Sequence, residues 1–291
     1  MPQSQQEKAQ ERTLFDLEGF QEQAFGPVSA AVRDGRLNAD AALDMMREAT
    51  LEGVPDCQWA FGHGSALQGS FSAFSDLDVV AVVPSGQFWE KRCLNHKGYL
   101  VELQIYSLDI LDILLLLAKN TGMSFGLMAS SGVVIIDIDG GAPAFKERLQ
   151  VAFDEGPKPI SGKAFAGFRH KLTNRIVELL GAGNPDERVA CGLAMYDLIV
   201  KIELALSTGW RHTGKWVPRV LAGEDSETFP RINAAYQALL AGDAQPLASF
   251  AAALLDRIGG PLWRGYSKRQ SLPTDMATAG AMIVAAQQLR D

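Results

Sequence analysis

The chain has 291 residues, 47% of them hydrophobic and 21% charged, with a formal net charge of −7. These values exclude an overall disordered chain and leave room for a sizeable core in two domains. The acidic balance disfavours nucleic acid as a partner, because a general binder needs a basic footprint to neutralise phosphates.

Residues 1–12 read as a loose polar tail without the apolar core of a secretory signal. Residues 28–53 read as helical sequence interrupted near Gly35, with Asn38 or Asp40 as the restart cap. "CQWAFG", residues 57–62, reads as a short strand ended by glycines, and "DLDVVAVVP", 76–84, as a β-branched strand central in a sheet. Around the turn-like "NHKG", residues 88–107 predict a β-hairpin. "LDILDILLLLA", 108–118, is too short for a membrane span and reads as a buried helix. "GVVIIDID" predicts a fifth strand ending at Asp139, and a helix with Pro143 in its first turn follows.

"DEGPKPISG", 154–162, is the candidate linker. Beyond it the sequence loses its β-branched runs and takes on Ala, Leu and helical spacing. The expectation is an α+β protein, with a mixed-sheet domain over 13–155 and an all-helical bundle over 163–291. Cys57, Cys93 and Cys191 are widely separated and odd in number. They suggest packing residues in a reducing cytoplasm rather than a zinc site or disulfide framework.

Chemistry concentrates in "GHGSALQGSFSAFSDLDVVAVV", residues 62–83. In a strand, Asp76 and Asp78 point to one face, roughly 6.5–7 Å apart. Buried carboxylates need a cationic partner, and a pair of hard oxygen donors suits Mg2+ that shares its shell with phosphates. Two ions about 3.5–4 Å apart would serve an in-line phosphoryl displacement. Gly64 and Ser65 follow the strand and precede "ALQGS", read as a short helix whose N–H groups would cradle phosphate. His63, inside this turn, reads as space-filling. The second pair, Asp137 and Asp139, has no cradle before it and reads as a strand exit.

"GS", ten residues, then "DLD" on a strand resembles the nucleotidyltransferase superfamily typified by DNA polymerase beta. The order of elements from the hairpin to "GVVIIDIDGG" is similar to the kanamycin-type aminoglycoside nucleotidyltransferases. Gln68 departs from the Arg that many small members carry at that place. The resemblance implies a third acidic residue on a later strand. Glu102 in "YLVELQIYS" is the carboxylate available, as a third metal ligand beside Asp76 and Asp78 or as a helper of the base.

It also implies a helix of the second half that closes a cleft and carries a general base, Glu203 first and Asp197 second. Asp197 and Lys201 are equally an i, i+4 helix pair. In "GKW", Lys215 is a phosphate contact or part of a solvated loop. Trp210, Trp216, Trp263 and Tyr266 read as core aromatics or as stacking platforms. The implied reaction is Mg2+-dependent transfer of a nucleoside monophosphate, from ATP or another triphosphate, to a hydroxyl on a small, aminoglycoside-like acceptor. A non-catalytic nucleotide-binding module and an enzyme that modifies a protein partner stand as alternatives, with a homodimer left open.

Overall fold

The computed structural model describes residues 16–269 except Arg36, Ala73, Phe125 and Gly126. The expectations for residues 1–12 and for the last part of the helical bundle lie outside the described residues.

Strands β1 (Trp59–His63), β2 (Leu77–Val83), β3 (Trp89–His96), β4 (Tyr99–Ser107) and β5 (Val133–Asp137) form one sheet in the order β3-β4-β2-β1-β5. β2 and β4 run parallel and the other neighbours antiparallel, so the sheet is mixed, as expected. β2 is central because its run of Leu, Val and Ala can be buried on both faces. β3 alternates exposed with half-buried residues and takes an edge, where Lys91 and Arg92 discourage further strand pairing. The hairpin between β3 and β4 turns on Lys97 and Gly98, both left-handed at φ 52° and 83°. Asn95 Oδ1 accepts from the Gly98 amide at 2.8 Å. Such two-residue turns match the twist of the flanking strands.

One face of the sheet packs on helix α3, following α1 (Leu17–Phe25) and α2 (Ala30–Arg33) and spanning Ala39–Gly53. Asn38 caps α3, its Oδ1 accepting from the Ala41 amide at 2.8 Å. Met46, Leu77, Val79 and Leu103 are core residues on this side. The opposite face carries Trp59, Phe61, Val80, Val82 and Tyr106 beneath α4 (Leu111–Thr121) and α5 (Ala142–Glu155). α4 corrects the expectation of a buried helix. Leu111, Leu114 and Ala118 are buried, but Ile113, Leu116 and Leu117 are exposed. A helix against a single surface buries only one stripe, however apolar its sequence.

The chain divides into two compact units. The first runs through Pro159 and takes back Thr208–His212, so Trp210 stacks on Phe153 at 5.4 Å in the first unit's core. The second unit comprises Ile160–Ser207 and the described residues from Thr213 onward. Its described helices are α6 (Gly162–Gly181), α7 (Pro185–Leu193), α8 (Tyr196–Leu206), α9 (Trp216–Glu224), α10 (Thr228–Leu240) and α11 (Gln245–Arg257). Leu172, Ile199, Ile202, Leu221, Ile232 and Leu254 are among its core residues. Trp263 lies outside any core, 61% exposed, and Tyr266 stacks on His170 at 4.0 Å. Among the described residues no helix is long and apolar enough to cross a membrane.

Candidate active site

Pairing across the sheet sets residues in a row. His63 on β1 lies opposite Asp78 on β2, Asp78 opposite Glu102 on β4, and Glu102 opposite Cys93 on β3. Partners in register share a face, and alternation puts this row on the side of Phe61 and Val80. Asp76 departs from the expectation that it is a strand residue. β2 begins at Leu77, and Asp76 stands half-buried just before it. The turn leading to it is tied by the Ser75 hydroxyl, which accepts from the Ser72 amide at 3.0 Å. Asp76 is nonetheless near the row, for its charge is felt by both His63 and Lys91.

After β1 the chain turns sharply. Gly64 has φ +93°, and a Cβ there would stand 2.2 Å from Asp78 Oδ2. Only glycine lets the backbone lie this close to the carboxylate. Ser65 is buried, and its Oγ has no hydrogen-bond partner. A buried hydroxyl left unpaired costs about 1–3 kcal/mol, which marks a place for a ligand group. The stretch after it is not the short helix expected. The Ser65 carbonyl accepts from both the Gln68 and Ser70 amides, at 3.2 and 3.1 Å, and Gly69 turns left-handed at φ 69°. That geometry ends a helix as soon as it begins.

Around Glu102 the side chains form a chain of contacts. Lys91 Nζ lies 2.5 Å from Glu102 Oε2, and Gln104 Nε2 donates to Oε1 at 3.4 Å. Tyr106 in turn donates its hydroxyl to Gln104 Oε1 at 3.1 Å. The bond to Glu102 raises the pKa of Lys91 and holds it as an ammonium. Burial, aided by the Glu102 charge, pushes the Tyr106 phenol up to about 12, so it remains a donor. Burial also pushes His63 down to about 4, against the pull of Glu102 and Asp76. The imidazole is therefore neutral near pH 7, and its buried Nε2 has no partner.

The structure thus brings Gly64, Ser65, Asp78 and Glu102 together with Asp76 close by. It does not assemble three carboxylates around one point. Among the described residues no group of three or more His, Cys, Asp or Glu is arranged to hold a metal ion. Asp139 serves structure, as expected, accepting from Trp59 Nε1 at 2.7 Å and from the Gly141 amide at 3.0 Å. Cys57 is buried, with its thiol pushed up to about 11 by desolvation. Cys93 is exposed and corrects the expectation that all three cysteines are packing residues.

Glu203 and Lys215 belong to the second unit. Glu203 is 4% exposed, and both its oxygens accept from Arg257 Nη1, at 2.8 and 2.7 Å. The pair lines a cavity of about 270 Å³ with Asp225, Arg231 and Phe250. Asp197 is exposed at the start of α8, and Lys215 is exposed where α9 begins. Lys201 lies over the Phe168 ring, 5.3 Å from its centroid.

Sequence reasoning did not single out Lys91, Gln104 or Tyr106, and it read His63 as filler. A two-residue turn at Lys97 and Gly98 sets Cys93 opposite Glu102 and Lys91 opposite Gln104. The hairpin register was therefore the signal that would have placed Lys91 beside Glu102.

No protein family and no curated protein matches the chain. Among solved structures, a nucleotidyltransferase-like protein from Exiguobacterium sibiricum 255-15 is similar over 74% of this chain and 73% of that one. The two share 14% identity, with a TM-score of 0.39, too little for residue roles to pass from one to the other.

Proposed function

We propose that the protein transfers a nucleoside monophosphate from a triphosphate, taken first as ATP, to a hydroxyl of a small acceptor. The observation that carries this reading is the turn at Gly64 and Ser65. It offers a buried, unpartnered hydroxyl where the backbone lies against the Asp78 carboxylate. The donor set fits Mg2+: Asp76 and Asp78 supply hard oxygens and leave other positions to phosphate and water. When bound, the ion would neutralise charge on the α-phosphate.

The chain's own residues then bind and orient. Ser65 donates its hydroxyl to an oxygen of the leaving pyrophosphate, and the Gly64 turn lets the phosphates approach the backbone. The acceptor oxygen bonds to the α-phosphorus as the bond to pyrophosphate breaks, and the acceptor proton passes to a carboxylate. Glu203 is already engaged by Arg257. Its carboxylate is therefore not assigned the acceptor proton. An aminoglycoside-like, cationic acceptor is compatible with the acidic chain.

The test is calorimetric titration of ATP, GTP, CTP and UTP, with and without Mg2+, on wild type and Asp76→Asn/Asp78→Asn, followed by pyrophosphate release with a panel of hydroxyl acceptors. Metal-dependent binding that the double variant loses, together with release, supports the reading. No triphosphate binding by wild type removes it. Binding without release on any acceptor favours a non-catalytic nucleotide-binding module.

A further inference from the structure

We infer that the Lys91 ammonium supplies the second positive charge of the site, where a second metal ion would otherwise sit, and that Glu102 anchors it instead of ligating metal. The inference rests on the proposed reading of Asp76 and Asp78 and concerns what stands beside them.

Glu102 is largely buried, its side chain 17% exposed, and a cation of its own chain is already 2.5 Å away. Its second oxygen accepts from Gln104, which Tyr106 holds in place. Both carboxylate oxygens therefore already have a partner, and an ion entering there would have to share them with an ammonium and an amide. Lys91 also feels the Asp76 charge, and strand alternation puts it on the face of the sheet that carries Asp78 and Glu102. The position is built rather than incidental. β3 and β4 fix Lys91 opposite Gln104, one alternate position from Glu102. A displacement at phosphorus needs positive charge near both the entering and the leaving oxygens. One divalent ion and one fixed ammonium meet that need.

The experiment is calorimetry of the full chain with Mn2+ and inorganic tripolyphosphate, a probe that does not depend on which base is recognised. Wild type is expected to bind one Mn2+ per chain with the tripolyphosphate. Lys91→Met is expected to bind the tripolyphosphate about tenfold or more weakly, and Lys91→Arg to recover most of the loss. Circular dichroism checks that Lys91→Met, on an edge strand, melts as wild type does. Two Mn2+ per chain in wild type, reduced to one by Glu102→Gln, would make Glu102 a metal ligand and overturn the inference. Unaltered tripolyphosphate binding by Lys91→Met would overturn it as well, even where Asp76→Asn/Asp78→Asn abolishes Mn2+ binding and upholds the site. Mn2+ binding that survives Asp76→Asn/Asp78→Asn would instead sink the reading of the site itself, and this inference with it.

Discussion

At Gly64 a single methyl group decides whether the site can form. A Cβ there meets Asp78 Oδ2 at 2.2 Å, and φ of +93° disfavours any other residue. Gly64→Ala is expected to lose metal-dependent triphosphate binding and to lower stability by about 1–3 kcal/mol. Calorimetry and chemical denaturation read the two effects separately. His63 gives a second expectation at this scale, with a definite sign. Its pKa falls from an ordinary 6.5 when unfolded to about 4 when folded, because burial disfavours the charged ring. The unfolded chain then binds more protons between these values. Stability is fully present above about pH 6.5 and declines as the pH falls toward 4, by on the order of 3 kcal/mol. Denaturation midpoints across that window should fall for wild type and fall less for His63→Phe. Equal slopes would mean that another group carries the dependence.

Among the elements, the Glu203–Arg257 pair ties the end of α8 to the end of α11 within the second unit. Removing one partner of a buried ion pair leaves a charge without compensation, whereas replacing both by apolar groups is close to neutral. Arg257→Met is expected to cost up to about 3 kcal/mol, toward the low end because Arg257 is half-exposed. Glu203→Leu/Arg257→Met should recover much of that, which a double-mutant cycle by urea denaturation measures. Retained activity in the double variant would also exclude Glu203 as the base. The β3–β4 hairpin and the Asn38 cap were legible because each depends on a few adjacent residues with special backbone preferences. The exposure of α4 was not. Its apolar run shows that a helix is hydrophobic on several sides, but not how many of those sides find a neighbour.

For the molecule as a whole, Trp210 crosses the boundary that composition suggests. It lies beyond the linker in sequence, yet it packs in the first unit against Phe153, and the Arg211 amide donates to the Gly122 carbonyl at 2.8 Å. Trp210→Ala is expected to destabilise the first unit by about 3–5 kcal/mol. Hydrogen exchange should quicken in α4 and α5 while α10 and α11 stay protected. Uniform loss of protection would mean that the two units unfold together.

The sequence by itself determined the class of the fold, the strands, and the change to helices after the linker. Those signals are local: glycines where the chain must turn and β-branched runs where it must be extended. Only the tertiary structure decided which charges meet. Strand register set Lys91 against Glu102, helix packing set Arg257 against Glu203, and a returning segment carried Trp210 into the first core. An ion pair depends on two side chains that lie far apart along the chain, and their meeting follows from how whole elements pack.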